Sequence, residues 1–150
     1  MPKNFRRILY ATDYSKASGR ALDQAMNLAR QNNAELTVAH VIEPPAPYVT
    51  GEDFASAQLY VKIEETARRD AQASMHKLMR KLQKSKVKAK SLLLKGIAHD
   101  QIVKAARSKK ADVIVIGTHG RTGLSKLFMG SVAGKVVSTA TCPVLTVRGK

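Results

Sequence analysis

Tryptophan is missing from this 150-residue chain, cysteine occurs once, and aromatic residues make up only 5%. A single cysteine, Cys142, excludes an internal disulfide framework and any multi-cysteine zinc site. Flanked by Thr141 and Pro143 at the start of a predicted strand, it reads as a small hydrophobe, since nothing beside it would lower a thiol pKa. Scarce aromatics make a poor stacking platform for single-stranded nucleic acid. No apolar run approaches the roughly 18 residues of a membrane span. The basic residues 1–7 are not followed by an apolar signal core, so the expectation is a soluble cytoplasmic protein with no membrane association. Acidic residues are also short: 11 Asp and Glu stand against 26 Lys and Arg, a net charge of +15.

What is present suits one compact domain, residues 1–150, of ordinary hydrophobic content at 44%. Such a length buries about 70% of the unfolded surface without staples. Much of the positive charge lies between Lys77 and Lys95. It reads as a solvated helix face running into a lysine-guarded strand. The field also attracts polyanions over about one Debye length, roughly 8 Å.

Apolar and polar residues alternate between two periods. Residues 7–12 form a short apolar run ending at Asp13, and Ser15 is placed to cap a helix through about Gln31, stopped by Asn32 and Asn33. A second strand covers residues 35–42. Prolines 44, 45 and 47 enforce a loop over residues 44–53, equally readable as a lid or an inert connection. A long helix is predicted over 53–84, with Tyr60, Ile63, Ala67, Ala71, Met75, Leu78 and Leu82 as one buried stripe. Residues 87–94 alternate with lysines in the manner of a charge-protected edge strand, and Gly96 ends it. A helix over 99–108, a strand over 112–116, a helix over 131–139 and a strand over 143–147 complete the chain. Strands alternating with helices imply an α/β fold, a doubly wound sandwich on a mainly parallel five-stranded sheet. Ligands then bind at the carboxyl ends of the strands, where the loops after Thr12, Val41 and Ile116 meet.

The segment after the fourth strand carries the chemistry. Gly117-Thr118-His119-Gly120, nine residues, then Gly130-Ser131 places glycines where a backbone can approach an anion. A Walker A loop does not fit: Gly130 to Gly134-Lys135 is one residue short and lacks the following hydroxyl. Gly117, Gly120 and Gly123 do not match the dinucleotide fingerprint either. His40, His76 and His99 show no paired spacing that suggests a metal.

With this Gly-x2-Gly-x9-Gly-Ser motif, the opening strand ending in Ala11-Thr12-Asp13, the second ending in His40-Val41, and the closing residues 142–147, the whole chain resembles the universal stress protein family. The resemblance implies the ATP-binding type and sheet order 3-2-1-4-5. It places Asp13 and Val41 at the adenosine end, and Gly117, Gly120, Gly130, Ser131 and Val132 along ribose and phosphates. Ala11, Thr12, Ile116 and His119 complete the implied site, and Arg121 and Lys126 add attraction for phosphate. Ser131 is expected to cap the helix that follows. Magnesium is expected with ATP, Asp13 being able to hold it through water, and no metal is ligated directly. The last strand, 144–147, implies a homodimer through its apolar edge.

Each of these residues also has a purely structural reading: Asp13 as a turn, Val41 as core, Ser131 as a cap, Thr118 and His119 as loop residues. No nucleophile, base and orienter are visible together, so the expected role is a nucleotide-responsive regulatory or stress-resistance module with at most slow ATP hydrolysis. Two other classes compete. A nucleic-acid or polyanion binder would exploit the +15 charge and lose affinity steeply with salt. An ATP-dependent enzyme on a related fold would carry Ser-Gly-Gly-x-Asp-Ser after the first strand, where this chain reads Asp13-Tyr14-Ser15-Lys16-Ala17-Ser18-Gly19.

Overall fold

A computed structural model describes residues 4–44, 54–119 and 129–149. Five strands and four helices alternate: β1 (Arg7–Ala11), α1 (Lys16–Asn32), β2 (Glu35–Ile42), α2 (Phe54–Gln83), β3 (Lys88–Lys95), α3 (Ala98–Ser108), β4 (Val113–Gly117), α4 (Ser131–Thr139) and β5 (Val144–Val147). The sheet order is β3-β2-β1-β4-β5, as the family resemblance implied, and every neighbouring pair is parallel, as the α/β reading predicted.

Strand parity decides which helix covers which face. Ile8 and Tyr10 of β1, with Leu36, Val38, Val113 and Val115, pack under α1 and α2. Their alternates Leu9, Ala11, Ala39, Ile114 and Ile116 pack under α3 and α4. The central strands β1 and β4 are therefore apolar on both faces, which explains their unbroken hydrophobic runs. Sealing the start of β1, Asp112 Oδ2 accepts the backbone N–H groups of Arg6 and Arg7 at 2.9 Å each.

Local signals set the ends of α1. Ser15 Oγ accepts the Ser18 N–H at 3.2 Å, and Asn33 closes the helix in the left-handed conformation, φ 48°. The Ala34 N–H then reaches back to the Ala29 carbonyl at 2.9 Å, which consumes an end carbonyl and turns the chain into β2.

The long helix departs from its predicted stripe. Ala71, Met75 and Leu82 are buried, and Leu78 joins their cluster, but Ile63 is 45% exposed. The reason is reach. The amino-terminal half of α2 extends past the carboxyl ends of β1 and β2, so only its carboxyl-terminal half has sheet beneath it. Leu59 and Val61 are exposed on the same overhanging half. At the edge position, β3 presents Lys88 and Lys90 to solvent as expected. Gly96, at φ 136°, turns the chain from β3 toward α3; a Cβ there would press on the Gln101 side chain at 3.1 Å.

Candidate functional site

The chain leaves β1 toward β2 on one side, while β4 and β5 lie on the other. The carboxyl ends of β1 and β4 thus flank a crevice at the switch in strand order. A cavity of about 560 Å³ opens there, within the ordinary range of roughly 300–1,000 Å³ for small-ligand sites. Ala11, Thr12 and Asp13 border it from the end of β1, Val41 from β2, and Ile116 and Gly117 from β4. His119, Gly130, Ser131 and Val132 close it on the side of α4. Gly120, Arg121 and Lys126 lie outside the described residues, as does most of the predicted loop 44–53.

A relay of hydroxyls fixes the first of these walls. Ser18 Oγ donates to the Ser15 carbonyl at 2.7 Å, so the 3.0 Å contact between Thr12 Oγ1 and Ser18 Oγ has Thr12 as donor. Thr12 Oγ1 in turn accepts the Tyr14 N–H at 3.0 Å. Thr12 and Ser18 are buried, and among the described residues no buried side-chain polar atom lacks a partner. Beneath the relay, the Tyr10 hydroxyl donates to the Ser18 carbonyl at 2.7 Å. Burial raises the Tyr10 phenol above its ordinary pKa. Its contacts with Thr12 and Ser18 oppose that shift, and the charges of Asp13 and Asp23 add to it. The phenol therefore stays protonated and holds α1 against β1.

Asp13 has a structural duty at this turn. Its Oδ1 accepts the Ser15 N–H at 2.9 Å, forming an Asx turn that feeds the start of α1. Next to it Tyr14 takes φ 63°, and its side chain borders the cavity and reaches α2. Its hydroxyl donates to the Ala71 carbonyl at 3.1 Å, and the ring lies against His40 with centroids 4.3 Å apart. Because the Thr12 carbonyl can only accept, the 2.8 Å contact fixes a proton on His40 Nδ1.

On the far side, Gly117 contributes backbone. A Cβ at this glycine would meet Ala17 and Ser18 of α1 at 3.5–3.6 Å, an ordinary contact. The Thr118 N–H donates to the Val147 carbonyl at 2.9 Å, and the Gly130 N–H donates to the Thr118 carbonyl at 2.6 Å. This last bond sets the start of α4 and corrects one expectation. Gly130, in an extended conformation, is the N-cap, and Ser131 is the first helical residue, where its hydroxyl cannot cap. No side chain caps the helix among the described residues. The first-turn N–H groups of Ser131, Val132 and Ala133 therefore stand at the cavity wall with the positive end of the helix dipole behind them.

Several lining residues escaped the sequence reading: Tyr14, Ser18 and His40, Ala98 and Ile102 of α3, and Ala67, Asp70, Ala71 and Ser74 of α2. Parity at the end of β2 is the signal that would have found His40. If Val41 faces α3, its neighbour must face α2. Among the described residues no group of three or more His, Cys, Asp or Glu side chains could hold a metal ion.

The sequence profile of the universal stress protein family matches residues 4–148. The chain belongs to that family. Universal stress protein A homolog 1 of Coxiella burnetii is 35% identical over 144 residues, which span 96% of each protein. A solved universal stress protein of Methanocaldococcus jannaschii superposes with a TM-score of 0.87 at 27% identity, covering 99% of both chains. Two further solved structures hold nucleotides. One is a universal stress protein in complex with cAMP, at TM-score 0.63 and 25% identity over 97% of this chain and 98% of the other. The second is the Archaeoglobus fulgidus protein in complex with dAMP, at TM-score 0.58 and 25% identity over 96% and 98%. Among the described residues no helix is long and apolar enough to cross a membrane.

Proposed function

We propose that this universal stress protein binds an adenine nucleotide, ATP foremost, in the cavity between β1 and β4, and that occupancy rather than turnover is its output as a cytoplasmic stress-response module. The observation that carries the reading is the uncapped start of α4 opening onto an apolar-walled cavity of about 560 Å³. Val41, Ile116 and Ala11 supply apolar surface for a purine. Asp13 accepts from the ribose hydroxyls, and Gly117, Gly130, Ser131 and Val132 face the phosphates. The family resemblance adds Gly120 and Arg121 to the residues assigned to phosphate. A helix start gives an anion only about 0.3–2 kcal/mol, so several such donors must act together. The family members seen with cAMP and dAMP support an adenine nucleotide as ligand. Magnesium would enter with ATP, and Asp13 would hold it through water. Hydrolysis is at most a slow side reaction, since the sequence shows no nucleophile, base and orienter together.

Denaturing the purified protein and weighing any released small molecule tests this directly. Recovery of ATP, or calorimetric binding of ATP with millimolar magnesium that Val132→Glu abolishes, is the expected result. No nucleotide released and no heat of binding from the intact protein would overturn it.

We further propose that β5 pairs with a second copy. It is an edge strand, and Leu145 stands 39% exposed on it. Leu145→Lys should halve the mass seen by sedimentation; an unchanged dimer would place the interface elsewhere.

A further inference from the structure

The amino-terminal ends of the strands form the pole opposite the cavity, and the basic charge of the chain gathers there. Residues 71–99 contain eight Lys and Arg and no Asp or Glu. From this stretch Arg80 and Lys81 lie in the last turn of α2, Lys84 and Lys86 in the turn that follows, and Lys88 and Lys90 at the start of β3, all of them exposed. Register then carries the row across the sheet. Lys88 lies beside Glu35, and Glu35 beside Arg7 of β1. Arg107, Lys109 and Lys110 leave α3 at the same level, and Arg6 and Arg30 fill the space between, again exposed. Near Arg107 and Lys110 the surface is indented by a second cavity of about 320 Å³.

Local duties do not use up this charge. Cations in last turns complement helix dipoles, but each helix end carries only about half a negative charge, so four ends offset about two cations. The two carboxylates at this pole are engaged: Glu35 pairs with Lys90 at 3.3 Å, and Asp112 holds the Arg6 and Arg7 backbone. Among the described residues, the remaining cations of the pole are in no ion pair.

We propose that this pole docks the phosphate backbone of double-stranded nucleic acid without reading its sequence. Three strand spacings of about 4.8 Å make the row roughly 14 Å wide, and a duplex presents about one charge per 1.7 Å of its axis. Exposed large hydrophobics stand elsewhere: Leu59, Val61, Ile63, Ile97, Met129, Val137 and Leu145 are all outside residues 6–7, 30–35, 80–90 and 107–112. Among the described residues the pole therefore exposes no large apolar side chain to insert into a bilayer, and its aromatic residue, Phe5, is packed against the core rather than offered to unpaired bases. Lysine and arginine alone suit a backbone. The surface is separate from the nucleotide cavity, so it stands whether or not that cavity binds ATP.

The test is fluorescence anisotropy of a labelled 25-base-pair duplex of mixed sequence, titrated with the full chain from 50 to 200 mM NaCl. Affinity should fall at least 100-fold across that range and be indifferent to sequence. Lys84→Gln, Lys88→Gln and Lys109→Gln together should lower the logarithmic salt slope by about 3 and weaken binding roughly 100-fold at 100 mM salt. Lys62→Gln, Lys104→Gln and Lys135→Gln remove the same charge from other surfaces and should preserve most of the affinity. Circular dichroism of both triple variants confirms that each remains folded. Equal losses in the two variants would overturn the assignment to this pole. Absence of duplex binding at 50 mM salt would overturn it outright, as would phosphatidylserine vesicles capturing the protein when the duplex does not.

Discussion

The two halves of α2 share one apolar rhythm in sequence and have different work in the structure. In the carboxyl-terminal half, Met75, Leu78 and Leu82 sit on the sheet inside the cluster built around Tyr10, Leu36 and Val38. The amino-terminal half overhangs the strand ends. There Leu59, Val61 and Ile63 face solvent, while around the helix midpoint Ala67, Asp70, Ala71 and Ser74 turn small or polar surface to the cavity. What differs is the floor beneath the helix. The same three- and four-residue spacing buries a side chain where a strand lies under it and leaves it wet where the strands have ended.

The contrast can be broken most severely in the carboxyl-terminal half. Leu82 is 0% exposed, so Leu82→Ala should cost about 2–5 kcal/mol in urea unfolding. A loss below 1 kcal/mol would mean that α2 is not anchored there. The join between the halves is tested next. Tyr14→Phe removes the hydroxyl that donates to Ala71 at 3.1 Å and should cost about 1 kcal/mol. Hydrogen exchange should quicken through the amino-terminal half of α2 and stay unchanged around Leu82. Uniform quickening would show the helix to be one cooperative unit.

A smaller effect concerns the ligand. Asp70 brings a carboxylate to the cavity wall, and at an exposed site such a charge is worth about 0.2–1 kcal/mol. Asp70→Asn should therefore tighten ATP binding about 1.5- to 5-fold in calorimetry, and weaker binding would assign Asp70 an attractive contact. Ile63→Ala should change stability least, by under about 0.5 kcal/mol, because its side chain is already 45% exposed.

Much of the architecture was legible in the sequence because local and tertiary demands agree. Ser15 and Asn33 mark the ends of α1 through bonds made within a few residues, and the alternation of apolar runs with helical periods led to the parallel sheet. The unbroken apolar runs of β1 and β4 needed no further signal. The exposure of Ile63 was not legible, because it depends on where β1 and β2 stop relative to a helix that begins far along the chain. The cavity divides the same way. The strand-end residues Ala11, Thr12, Asp13, Val41, Ile116 and Gly117 follow from topology, whereas Tyr14 reaches the cavity through a left-handed backbone that no neighbouring residue announces. Ser131 looked like a cap because its residue type favours capping. The bond from Gly130 to Thr118 moves the helix start one position earlier.

That bond has a corollary for engineering. With Thr118 tied at once to Val147 and to Gly130, the chain leaves β4 and returns to α4 at nearly the same point. The residues that flank the connection from β4 to α4 are thus bonded directly to each other. A connection whose two ends are fixed in this way is a natural place for a graft. Grafting a segment of different length or charge between Thr118 and Gly130 should leave the thermal midpoint within a few degrees while resetting which anions the cavity accepts.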